Sequence, residues 1–149
     1  LNTYEYIYVA WAVLFQILLI VHFSLRKWRF GIVERYGWSF YALGIPALAI
    51  SIILFASGMS WSFWLGGVLQ FVWSGFGYYV EFVRKIRWRN PPYWRVLWPY
   101  VTLYLATNMF YWWPQGLLDR RLWFAYGGLF ILSTILNGTS HHLDERQSN

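Results

Sequence analysis

Charged residues are absent from four stretches of the chain, residues 6–25, 36–80, 96–118 and 122–140, and crowd into the short segments between them. A helix rises 1.5 Å per residue and needs about 20 residues to cross the ~30 Å hydrocarbon layer of a bilayer. The first, third and fourth stretches each fit one crossing. The second holds 45 residues, about 67 Å as helix, enough for two crossings and a turn. The pattern therefore predicts helices over about 4–25, 38–57, 61–83, 95–113 and 122–140. That is an all-α, polytopic integral membrane protein of five transmembrane helices, with residues 1–149 forming a single transmembrane domain.

Local residues refine these elements. Tyr4, Tyr6, Tyr8 and Trp11 crowd the start of the first helix, where aromatic rings favour the headgroup level. No basic stretch precedes this helix and no small-residue cleavage site comes after it, so it reads as a span and not as a signal peptide. Pro46 removes a backbone donor and predicts a kink in the second helix. Gly58-Met59-Ser60 is long enough only for an antiparallel hairpin. Gly66, Gly67, Gly75 and Gly77, with Ser62 and Ser74, make the third helix the one that neighbours approach most closely. Pro114-Gln115-Gly116 predicts the end of the fourth. Residues 26–38 and 84–95 are expected to be basic loops.

Composition agrees with this picture. Of 149 residues 58% are hydrophobic and only 12% charged, against about 25% charged in soluble domains. Twelve each of Trp, Tyr and Phe exceed what a soluble core uses. Cysteine is absent, which excludes disulfides, thiolate metal sites and cysteine nucleophiles. Charge also sets direction. Of the twelve Lys and Arg, only Arg120 and Arg121 fall at one end of the predicted bundle. Arg26, Lys27, Arg29, Arg35, Arg84, Lys85, Arg87, Arg89, Arg95 and Arg146 fall at the other. The positive-inside rule then puts the amino terminus outside and the carboxyl terminus in the cytoplasm, and the expected location is a prokaryotic inner membrane. Residues 4–57 and 61–113 are each helix, basic segment, helix, with Arg-Lys-x-Arg-aromatic at 26–30 and again at 84–88. This is the pattern that a duplicated hairpin would leave.

Three groups of residues carry candidate chemistry. The segment 84–95 mixes cations with Trp88, Tyr93 and Trp94 around Asn90-Pro91-Pro92. Such mixing suits single-stranded nucleic acid, but a loop pinned between membrane helices is a poor platform for it. The expected partners are the bilayer and its anionic headgroups, with no nucleic acid. Second, Trp73, Gln70, Asn108, Tyr104 and Asn137 fall inside spans, where polar groups bond between helices or line a cavity walled by aromatic rings. Third, His22, Glu81 and His141 fall at similar depth near the cationic end, a candidate haem or metal set. Glu81 is the only one of these that is acidic within a span.

Trp88-Arg89-Asn90-Pro91-Pro92-Tyr93-Trp94, followed by Leu103-Tyr104, resembles the loop and helix start of the tryptophan-rich sensory protein (translocator protein) family. Those proteins are similar in being tryptophan-rich, five-helix and of about this length. The resemblance implies binding of porphyrins or sterol-like molecules. In that family the proline pair follows the first helix, whereas here it follows the third. The family's Pro-Val-Trp-Thr spacing is absent, so no functional residue is carried over.

The sequence contains no Gly-rich phosphate loop, His-Glu-x-x-His or Gly-x-Ser-x-Gly. The leading expectation is a non-catalytic protein that binds, senses or moves a small hydrophobic or amphipathic ligand in an aromatic-lined cavity. The alternatives are an accessory subunit of a larger membrane complex, with self-association included, and a haem- or metal-dependent membrane enzyme.

Overall fold

The computed structural model describes residues 1–88 and 92–140. Among them the protein is helical, without strands. The elements are α1 (Thr3–Trp28), α2 (Phe30–Tyr41), α3 (Gly44–Ala56), α4 (Trp61–Tyr78), α5 (Trp94–Leu118) and α6 (Arg120–Ser140), and α4 continues through a π turn at Tyr79–Val83. The predicted segments are all helical, and α2 and α3 together form the second of five antiparallel rods. Around the bundle α1 packs on α2 and α6, α3 on α4, α4 on α5, and α5 on α6. Three rods, Thr3–Trp28, Phe30–Ala56 and Arg120–Ser140, are long and apolar enough to cross a membrane. α4 and α5 trade aliphatic side chains for Trp, Tyr, Gly and Ser, which lowers their mean hydropathy.

α1 begins on a reciprocal cap. The Asn2 side chain accepts from the Glu5 N–H at 2.9 Å, and the Glu5 carboxylate accepts from the Asn2 N–H at 3.0 Å. Its buried stripe runs Ala12, Phe15, Leu19, His22, Arg26, the three- and four-residue spacing of one helix face. Residues 26–38 are not the loop that their charges predict. The chain reverses at Arg29 and is helical again from Phe30. Val33, Gly37 and Tyr41 turn inward at helical spacing while Glu34 and Arg35 face out. The charges mark a wet face of a helix, not a break in it.

The second rod does break where Pro46 predicts. Proline cannot donate to the carbonyl four residues back, and its ring crowds that group. The affected Ala42 carbonyl instead accepts from the Ile45 N–H at 3.1 Å. The turn after α3 uses Gly58 at φ +82°, in the left-handed region that favours glycine. α3 and α4 then run almost in backbone contact. A Cβ on Gly67 would overlap Ser51 Oγ and lie 2.5 Å from the Ala47 carbonyl oxygen. The Ser51 hydroxyl donates across this seam to the Trp64 carbonyl at 2.6 Å.

α5 passes through Pro114 and ends only at Leu118, so the Pro114-Gln115-Gly116 stop predicted from sequence is not one. Pro114 leaves the Phe110 carbonyl without its helical donor. The Tyr8 hydroxyl, from the first turns of α1, donates to that carbonyl at 2.6 Å. A donor from a neighbouring helix thus allows the helix to continue.

Candidate functional site

Polar side chains run through the interior in separate knots. At the amino-terminal end of α1, Trp11 Nε1 donates to Gln70 Oε1 and to the Tyr111 hydroxyl, each at 3.0 Å, and Tyr111 donates to Gln70 at 2.6 Å. Farther along, Gln16 Nε2 donates to Asn108 Oδ1 at 2.7 Å, and Asn108 Nδ2 donates to the Tyr104 carbonyl at 2.8 Å. The Tyr104 hydroxyl lies 3.4 Å from Ser133 and 3.3 Å from Thr134 and also meets Asn137. Trp73 sits beside these knots, its ring within 6.2 Å of Phe15, Tyr41, Tyr100 and Tyr104.

The five residues read from sequence as a ligand site are therefore all buried. Trp73, Tyr104, Asn108 and Asn137 belong to one neighbourhood, and Gln70 to another. None of the five lines the three cavities at the charged end and between the rods described below; their polar groups bond between helices.

Open space lies at the cationic end. A cavity of about 560 Å³ is bounded by the end of α1, the start of α2, the π turn and the segment up to Trp88. Its volume falls in the ~300–1,000 Å³ range of small-molecule sites. Arg26, Glu34, Glu81, Lys85, Arg87 and Trp88 line it, with Phe30, Val33, Phe82 and Ile86. Arg26 is only 4% exposed, and its guanidinium stands 3.8 Å from the Glu81 carboxylate. The other Glu81 oxygen accepts from the Tyr41 hydroxyl at 2.8 Å, and Tyr41 and Tyr100 hydroxyls are 3.0 Å apart. The Trp88 ring, which lines the cavity, lies tilted against Tyr100 with centroids 4.3 Å apart.

A π turn forms one side of this cavity. The π turn winds one residue more per turn than an α-helix, and Glu81 sits at its centre. The turn is closed by Arg84 N–H to the Tyr79 carbonyl at 2.8 Å and Ile86 N–H to the Val80 carbonyl at 2.9 Å. Between those two donors Lys85 has φ +53°, the one positive φ outside glycine among the described residues. That conformation is strained for a side chain with a Cβ, and such strain clusters at functional positions.

Of the loop residues expected to meet headgroups, Trp88 is buried under the cavity, whereas Pro92 and Trp94 are exposed. Asn90 and Pro91 lie outside the described residues, as does His141. The His22 ring stacks on Phe40 at 4.3 Å, while Glu81 is engaged by Arg26 and Tyr41. Among the described residues no three His, Cys, Asp or Glu side chains gather as a metal site requires.

Sequence reasoning did not single out Tyr41 or Tyr100, and took Arg26 and Lys85 only as cations of the basic segments. Arg26 was legible, because it continues the stripe Phe15, Leu19, His22 by four residues. Nothing local signals the π turn or the Lys85 φ. No protein-family model, no curated protein and no solved structure matches the chain.

Proposed function

We propose that this is a five-span membrane protein, amino terminus outside, that holds a small amphipathic molecule by an anionic head in the cavity at its cytoplasmic end. The cavity carries the reading. Within it Arg26 and Glu81 oppose each other, which leaves Lys85 and Arg87 against Glu34, a net positive rim beside aromatic walls. The membrane setting is supported by an inverted distribution of polarity. Gln16, Gln70, Asn108 and Gln115 are buried, while Ile45, Phe55, Trp98 and Ile131 stand outward. The orientation is supported by the cations, which among the described residues the antiparallel rods gather at one end except for Arg120 and Arg121.

The test is native mass spectrometry of the protein released from zwitterionic-lipid nanodiscs preloaded with amphiphiles bearing carboxylate, phosphate or choline heads. Anionic amphiphiles should be retained. Near a membrane surface each cation contributes about 1 kcal/mol, so Lys85→Gln with Arg87→Gln should lower retention about thirtyfold. Retention that ignores head charge, or survives the double substitution, would falsify the proposal.

A further inference from the structure

The charged cavity has an apolar neighbour. It shares one lining residue, Val33, with a second cavity of about 320 Å³ between α1 and α2. The character changes completely across that side chain. The second cavity is a groove walled by Leu18, Val21, Leu25, Ile32 and Tyr36, with no Lys, Arg, Asp or Glu in its lining. Val21, Ile32 and Tyr36 are exposed on the outer face of the bundle, where the proposed setting places lipid chains. Val33 itself is buried.

Gly37, which lines the groove, has no side chain, and residues of both cavities pack against its backbone. A Cβ there would lie 3.3 Å from both Val33 Cγ1 and Phe82 Cζ, and 3.8 Å from His22 Cε1. Phe82 belongs to the charged cavity and His22 to the groove. A third cavity of about 310 Å³, between the second rod and α4, is also apolar but shares no lining residue with the charged one. Among the cavities described, only the α1–α2 groove adjoins the charged one, which offers walled space for one alkyl chain.

We infer that the α1–α2 groove takes the hydrocarbon chain of the ligand, so that the ligand is a single-chain anionic amphiphile, a long-chain carboxylate or monoalkyl phosphate, that loads sideways from the bilayer past Val33. This rests on the reading of the charged cavity as a headgroup site.

The experiment uses the full chain in zwitterionic-lipid nanodiscs with hexadecanoate carrying a mid-chain diazirine, its monoalkyl phosphate counterpart, and a two-chain phosphatidylglycerol carrying the same group. Adducts are mapped by peptide mass spectrometry. The single-chain probes should label 18–25 and 32–36, be displaced by unlabelled hexadecanoate, and distinguish carboxylate from phosphate by relative yield. Val33→Phe, which plugs the junction, should reduce groove labelling at least fivefold. Val21→Trp, on the exposed rim where folding is not at stake, should do the same. Adducts along the third cavity, adducts spread over the outer surface, or equal groove labelling by the two-chain probe overturn the inference. If retention still depends on Lys85 and Arg87 in those cases, the headgroup reading stands without it. Retention indifferent to Lys85 and Arg87 overturns both.

Discussion

Replacing Tyr8 by Phe tests the contact that lets α5 run through a proline. The ring remains, with its edge-on contact to Phe63 at 5.1 Å, so packing is preserved. The 2.6 Å bond to the Phe110 carbonyl is lost. That carbonyl has no helical donor, because position 114 is proline. A buried acceptor left unpaired costs about 1–3 kcal/mol. In a Pro114→Ala background the new N–H can reach Phe110, and Tyr8→Phe then removes only a redundant bond. The expected coupling is about 1–2 kcal/mol, above the ~0.6 kcal/mol average of interhelical bonds in membrane proteins. The four proteins of the cycle would be unfolded reversibly in mixed micelles by increasing the fraction of denaturing detergent. If Tyr8→Phe costs the same with Pro114 in place as in the Pro114→Ala background, the two residues are independent and the explanation of the uninterrupted helix is wrong.

The other predictions concern glycine and lysine. Gly67→Ala must push α3 from α4 and should destabilise by about 1–3 kcal/mol, while Gly75→Ala on the same helix meets nothing within 4 Å and should stabilise by about 0.5–1 kcal/mol; shifts of the same sign in thermal unfolding would refute the described α3–α4 seam. Lys85→Gly relieves a strain of about 1 kcal/mol but loosens the unfolded chain by a similar amount, so melting should barely move while retention of an anionic amphiphile falls about fivefold. Parallel losses of stability and retention would instead make Lys85 a structural residue.

The helical layout was legible because uncharged runs of crossing length leave little choice, and Pro46 and Gly58 act through bonds within a few residues. Residues 26–38 misled because charge was read as loop, although Val33, Gly37 and Tyr41 keep a helical period through them. Pro114 misled for the opposite reason. Its consequences are cancelled by Tyr8, more than a hundred positions away, and no local rule contains that partner. The same holds for the polar residues within the uncharged stretches. Their types announced interhelical bonding, but that Gln16 meets Asn108 and Gln70 meets Trp11 and Tyr111 depends on how the rods are rotated. The candidate site was the least legible part. Its charged floor joins α1 to a turn whose winding departs from the α-helical period on which sequence reading relies.

That turn can be regarded as a one-residue insertion that a helix has absorbed. Each added residue in an α-helix rotates the downstream part of the helix by about 100°. Placed mid-helix, such an insertion would throw every later contact out of phase. Here it falls after Tyr78, beyond Gly67, Ser74 and Gly77, so the seams of α4 with its neighbours keep their alignment. Only Glu81, Phe82 and the segment behind them are re-aimed. Removing one residue from Tyr79–Val83 should therefore restore an ordinary helix, leave the bundle assembled, and swing the carboxylate away from Arg26. The rim of the protein can in this way acquire or lose a charge without renegotiating the interfaces beneath it.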